Sequence, residues 1–400
     1  MIHGLKSSAL LACCILICAF STQAQQTLTL EYCLQRAVET NIQMRQNQTA
    51  LSANQLALVQ EKFDFAPQIR ANASVNKAFG RTVDNFTQQI AESPWTGSPN
   101  LSATLVLFQG MSKWNNLRKA EFDIQATQYS MEDLANDIRI NVALAFFQVM
   151  YAEDNRKVSE NRLQILEQQL ERTEKQAKAG TKTQGDIYSV QSEVATERVN
   201  FVNQENLYAT NLLQLLLTLN LDPKAEYTLE RPNLDLFDGM GDMESVDAVY
   251  TEAKHSNPGM RQRDMEILSR KYAMKSARAA LMPTLSVSYG LGSFYSSNRP
   301  FEGYEPDLAA GELIPIFGET PPLFTQLETN FAQSLNFNLS IPIFQNYTLR
   351  QSYTVAKLNY ENQQLVRENE EMELYKAVMT AHQDALVAKA RFDATSEQLR

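Results

Sequence analysis

"ALMPTLSVSYG", residues 280–290, ends one pattern and begins another. A charged helical stretch stops at Pro283, because the residue before a proline is pushed out of the helical region. Beyond it Leu285, Val287, Tyr289 and Leu291 alternate strictly with Ser286, Ser288 and Gly290. A period of two predicts a strand with one apolar and one wet face. The question is what medium each face meets.

The unit occurs twice. An offset of 216 lays "LEYCLQRAVETN" (30–41) on "VDAVYTEAKHSN" (246–257), Asn41 on Asn257 and Pro67 on Pro283. An offset of 236 lays "LVLFQGM" (105–111) on "IPIFQNY" (341–347), so the second copy holds twenty additional residues between these landmarks. Such self-similarity defines a tandem repeat and precedes any local motif. Residues 25–222 form the first repeat, 223–244 the linker and 245–400 the second repeat.

Each copy predicts a helix of about thirty residues (30–62, 246–281), a strand (67–79, 283–294), a loop, a second strand (100–109, 332–343) and a much longer helix. In the first copy Ala120, Ile124, Met131, Leu134, Ile138, Val142, Ala145 and Val149 recur near heptad spacing. Unbroken over 112–178, that helix spans roughly 100 Å. It turns at 179–186, where Gly180 suits a left-handed cap and Asp186 the start of the returning helix. Arg400 corresponds to position 164 of the first copy, so the returning half of the second hairpin is expected to lie beyond this sequence.

Residues 1–24 read as a secretory signal: Lys6, an apolar run from Ala9 to Phe20, then Thr22-Gln23-Ala24. Leu10-Leu11-Ala12-Cys13 loosely resembles a lipoprotein box but leaves too few apolar residues before the cut. Cys33 is then the one mature cysteine, expected to be a small buried apolar residue, and no disulfide framework or cysteine metal site is available within a chain. The net charge of −10 excludes a basic nucleic-acid binder. Beyond the signal no run of 18 apolar residues exists. A membrane crossing must therefore use a β-barrel.

Within the four predicted strands the alternation runs over about nine to eleven residues, the length that a tilted transmembrane strand needs. Four strands cannot close an outer-membrane barrel, and open edges are not tolerated in lipid. Several chains must share one barrel: two would supply eight strands with a filled interior, three would supply twelve and a lumen. On this reading Arg70, Asn72, Ser74, Ser286, Ser288, Asn336 and Asn338 face the lumen. Leu105, Leu285, Val287, Phe337 and Leu339 face lipid.

With these features assembled, the chain resembles the TolC-like outer-membrane efflux protein family over essentially all its mature length. The resemblance rests on "FAPQIRANAS" and "LMPTLSVSYG", on the junctions "LVLFQGMSKWNNLRKA" and "SIPIFQNYTLRQSYTVAK", and on the tip "AGTKTQGDIYSVQSEVA". It implies a mainly α fold with transmembrane β: a homotrimer whose protomers each give four strands to a 12-stranded barrel continued by a long α-helical barrel across the periplasm. It implies a passive outer-membrane channel of a tripartite efflux or type I secretion system in a Gram-negative bacterium, carrying small toxic compounds or proteins. The implied partners are a periplasmic adaptor, an inner-membrane pump reached through it, and outer-membrane lipid. Ala179, Gly180 and Thr181 match the adaptor-docking tip, and Asp186 matches an acidic residue tied to closure of the entrance. Val106 stands where the family often has proline, and Asn346-Tyr347 where glycine is usual.

No enzyme constellation can be assembled. His255 and His382 sit on helical patterns without metal-ligand spacing, and there is no Gly-x-Ser-x-Gly, phosphate-cradling glycine loop or paired cysteine. No catalytic residue, metal or cofactor is implied. The alternative is an exported coiled-coil structural or adhesive protein of the cell surface.

Overall fold

The structure, a computed structural model, describes residues 26–77, 79–83, 90–92, 95–232, 244–299, 301–306 and 313–398. The signal expected over 1–24, and parts of the linker and of both loops, lie outside the described residues.

Along the chain the elements are β1 (Gln26–Leu28), α1 (Leu30–Thr40), α2 (Ile42–Phe63), β2 (Gln68–Lys77), β3 (Arg81–Val83), β4 (Ile90–Glu92) and β5 (Trp95–Gln109), then α3 (Ser112–Lys178), α4 (Gln184–Thr218) and β6 (Tyr227–Leu229). There follow α5 (Val246–Ser256), α6 (Pro258–Ala279), β7 (Thr284–Gly292), β8 (Tyr295–Ser296), β9 (Phe301–Pro306), β10 (Leu313–Phe317), α7 (Leu323–Thr329), β11 (Ala332–Ser340) and α8 (Thr348–Gln398).

The single helices expected over 30–62 and 246–281 are each broken, at repeat-related asparagines. Asn41 has extended dihedrals (φ −64°, ψ 130°), and its Oδ1 accepts from the Gln43 and Met44 amides. Asn257 has φ −63° and ψ 122°, caps the Met260 amide, and is followed by Pro258 at the first helical position. An asparagine side chain can replace the backbone acceptor that a helix start lacks, so the chain changes direction without leaving donors unmet. The 3.6-residue pattern runs through both breaks and hid them.

The described residues divide into two compact units, one within 1–50 and 129–252, the other within 51–128 and 253–400. The first is built on apolar packing. Cys33 and Ala37 of α1 meet Ile138, Val142, Phe146 and Val149 of α3, and Leu215, Leu216 and Leu219 at the end of α4. Phe146 is fully buried, while Ala145, expected on the heptad stripe, is only partly so. Burial pushes the Cys33 thiol up to about 11, and it acts as a small apolar residue. β1 and β6 pair in parallel beside this core, a short element within the region expected to be plain linker.

The second unit holds an antiparallel sheet in the order β11-β7-β5-β2, with β8 beside β5. β5 and β7 join the two repeats in one sheet. Two ion pairs join α6 to α8, Arg367 to Asp264 (2.8 Å) and Arg263 to Glu370 (3.1 Å), while each arginine also holds a carboxylate on its own helix, Glu371 (2.6 Å) and Glu266 (3.1 Å). The described residues of the longer loop in the second repeat carry elements of their own. They include the β9–β10 hairpin and the short helix α7.

Candidate functional site

Register decides which side chains share a face. Phe337 lies opposite Val287, which lies opposite Leu105; Leu339 lies opposite Leu285. Ile69 and Ala71 lie opposite Ala103 and Leu101. Asn338 pairs with Ser286, Asn336 with Ser288, and Ser288 with Thr104. Arg70 pairs with Ser102 and Asn72 with Asn100, and the Ser74 hydroxyl is 2.7 Å from that of Ser98. The seven polar and the five apolar residues singled out from sequence thus lie on opposite faces of one sheet.

Sequence reading missed one irregularity. A bulge between Val106 and Phe108 leaves Leu107 out of the pairing, so Phe108 rather than Leu107 meets Leu285. Nothing in a plain alternation announces a bulge.

Much of the apolar face lies exposed within the chain, most of all on the outer strands. Ile69 is 69% exposed, Val75 71% and Phe337 68%. Neither outer edge, β2 nor β11, is paired with another strand among the described residues. Bare apolar side chains beside open backbone donors and acceptors are stable only when something outside the chain covers both.

Each strand-to-helix junction turns on two successive left-handed residues: Gly110 and Met111 (φ 58° and 68°) in the first repeat, Asn346 and Tyr347 (φ 47° and 66°) in the second. At Gly110 a Cβ would stand 2.6 Å from the Ala279 carbonyl oxygen, so only glycine fits. The first junction is also sealed. Lys113 Nζ donates to the Asp64 carbonyl (2.6 Å) and lies over Phe65, whose ring meets Trp114 edge-on at 5.3 Å.

The helical hairpin ends in a built turn. The Thr181 amide donates to the Gln176 carbonyl and the Gly180 amide to that of Ala177, both at 3.0 Å, with Gly180 at φ 78°. On the return side Thr183 caps α4. Its amide donates to Asp186 Oδ2 (2.8 Å) while the Asp186 amide donates to the Thr183 hydroxyl (3.3 Å). This is a reciprocal capping box with aspartate in the third position, of which the sequence reading placed only Asp186 at the helix start. Hydrogen bonds from the Thr183 amide and hydroxyl, with Lys182 3.7 Å away, hold the Asp186 carboxyl below the usual aspartate range. Ala179, Gly180 and Thr181 are exposed and Asp186 is half-exposed.

Further along the hairpin lies a polar contact that sequence reading overlooked. The buried Glu197 accepts from Ser159 (2.6 Å) and Asn200 (3.0 Å) with Arg162 at 3.5 Å. Donors around it favour the charged form, so its carboxyl is held down. Among the described residues no helix is long and apolar enough to cross a membrane, and no group of three or more His, Cys, Asp or Glu side chains could hold a metal.

The profile of the family described as outer membrane efflux protein matches residues 33–221 and 249–400. Among curated proteins, the pyoverdine export outer membrane protein OpmQ of Pseudomonas aeruginosa is 23% identical over 283 residues, which are 70% of this chain and 52% of that one. The chain therefore spans about half the length of this relative. Among solved structures, the outer membrane protein VceC of Vibrio cholerae superposes with a TM-score of 0.72 at 13% identity, covering 92% of this chain and 81% of that one. CusC, solved in a study of folding and transmembrane channel formation, gives 0.70 at 16% identity, covering 92% and 79%. These likenesses establish a TolC-like tandem-repeat fold, mainly α with long helices and a sheet.

Proposed function

The chain belongs to the outer membrane efflux protein family, whose members are channels of the Gram-negative outer membrane rather than enzymes, and on that footing we propose that it is one protomer of a passive efflux conduit. The observation that carries this reading is the sheet: one apolar face, one polar face, and outer edges β2 and β11 open among the described residues. Three copies pairing β11 of one chain with β2 of the next close twelve strands around a lumen and leave no edge in lipid. Leu105, Leu285, Val287, Phe337 and Leu339 then meet acyl chains. Arg70, Asn72, Ser74, Ser286, Ser288, Asn336 and Asn338 line a water-filled, weakly selective pore.

The long helices support the same assembly. Ile140, Leu144, Phe147, Tyr151, Val158 and Ile165 of α3 keep heptad spacing yet are all exposed, a second stripe beside the buried one. Such a stripe suits packing against helices of neighbouring protomers. In this reading residues 25–222 and 245–400 are the two repeats and 223–244 the linker. Ala179, Gly180 and Thr181 dock a periplasmic adaptor, with Asp186 shaping the entrance, and an inner-membrane pump joins through the adaptor. The likeness to a pyoverdine exporter supports small-molecule cargo over protein.

The test is to express the complete gene product, extract outer membranes in mild detergent, weigh the purified species and record single-channel currents in a planar bilayer. A conducting trimer is expected. A monomeric or non-conducting species would overturn the reading.

A further inference from the structure

The apolar face carries more than flat strands. At its end away from the helices, α7 lies over it: the Ser293 hydroxyl donates to the Leu327 carbonyl (2.7 Å), and Ser293 stands two residues beyond Leu291 on that face. Gln326 pins the helix from below. Its Nε2 donates to the Ser296 carbonyl (2.9 Å) and its Oε1 accepts from the Ser296 amide (3.0 Å), both residues being buried.

Between α7 and the strands a groove of about 550 Å³ remains, lined by Ala71, Ala73, Leu101, Leu291, Leu327 and Phe331. Its volume is that of a small-ligand site, but it is a shallow groove open along one side rather than an enclosed pocket. Two alanines of β2 open its floor where larger side chains, Ile69 and Val75, stand on either side along the strand. Beyond the groove on the same face, Lys77 and Trp95 form a cross-strand pair. The ammonium of Lys77 lies 5.0 Å from the Trp95 ring and 5.6 Å from that of Phe79. Lys77 is four residues past Ala73, about 13 Å along the strand. Aromatic side chains with an adjacent cation are what a membrane protein presents at headgroup level.

We propose that this groove seats one acyl chain of a phosphorylated lipid of the outer leaflet, with Lys77 meeting the headgroup phosphate. The site rests on the channel reading, since it requires the apolar face to meet lipid. Its floor is continuous with the apolar surface of β2, β5 and β7, so a chain enters from the bilayer. Its roof, formed by Leu327 of α7 and Phe331 just beyond it, turns that surface into a groove. An acyl chain fits because the floor and roof are mainly apolar and Lys77 lies at the far end, at headgroup distance.

The test reconstitutes the full-length protein into nanodiscs of phosphatidylethanolamine and lipid A, re-extracts it, and counts retained lipid by native mass spectrometry. One lipid per chain is expected on wild type. Ala73→Phe, which fills the groove, is expected to lower retention at least tenfold with oligomeric mass and conductance unchanged. Lys77→Gln is expected to weaken retention of the phosphorylated lipids severalfold. Wild type without retained lipid, or Ala73→Phe with undiminished retention, would overturn the site while leaving a conducting channel intact. Disassembly caused by Ala73→Phe alone would show that a neighbouring protomer covers the groove, and would also overturn it. Failure of wild type to insert at all would instead sink the channel reading.

Discussion

The two strand-to-helix junctions have the same backbone and different interiors. In both, a pair of left-handed residues 236 positions apart turns a strand into a long helix. In the first, Lys113, Phe65 and Trp114 close over the turn, and the Ala279 carbonyl presses against Gly110. In the second, the matching positions are Leu349, Leu281 and Arg350, and with Pro342, Phe344 and Tyr347 they border an open crevice of about 200 Å³. Duplication preserved the turn because the chain path requires it. The packing was free to diverge, since each junction meets different neighbours.

The sharpest test of that difference is Gly110→Ala against Asn346→Ala. The first adds a Cβ against a backbone oxygen on top of left-handed strain, and should cost about 3 kcal/mol or more. The second replaces one left-handed side chain by another in open surroundings and should cost about 1 kcal/mol. Heat dissociation of the detergent-solubilised assembly would measure both. Equal losses would mean that the crowding at Gly110 is not what distinguishes the junctions.

Next in size is the matched pair Phe337→Arg and Leu101→Arg, repeat-related positions on the apolar face. If both copies meet lipid, each should cost roughly 2–4 kcal/mol near mid-bilayer and reduce recovery in outer membranes. The polar-face pair Asn338→Arg and Ser102→Arg should assemble normally and change single-channel conductance. A penalty in one repeat alone would show that the two copies do not share an environment.

The helix breaks offer a subtler comparison. Asn41→Ala and Asn257→Ala each remove a cap and should cost about 1 kcal/mol. The loss should be smaller at Asn257, where Pro258 already fixes the first helical dihedral. Hydrogen exchange in the first turns of α2 and α6 reads this directly.

The smallest effect is expected at the hairpin tip. The Asp186 carboxyl is held below its unfolded value, chiefly by the Thr183 amide, so its contribution is present above the unfolded value and is lost as pH falls through the folded one. Amide protection at the start of α4 should therefore stay constant from neutral pH to the ordinary carboxylate range and fade only in more acid solution. Asp186→Asn should abolish that acid dependence.

Much of this was legible beforehand. The long helix Ser112–Lys178, the glycine turn at 180 and the faces of the four strands follow from period and punctuation. Asn41, the Leu107 bulge and the β1–β6 pair did not show, for a common reason. A cap inside a periodic stretch, one extra residue in a ladder and a three-residue parallel pair leave the hydrophobic period almost unchanged. Only hydrogen bonds to partners distant in sequence, or local to the cap, reveal them.

Sequence alone determined the duplication, the handover from helix to strand at each proline, and the two chemistries of each strand, because these depend on side-chain order along one chain. Tertiary structure decided how the copies combine. It set β5 against β7, placed Phe108 rather than Leu107 opposite Leu285, and laid α7 over one end of the apolar face. Those choices depend on which backbone groups and surfaces meet, and pairing between distant residues carries no period that a single chain can display.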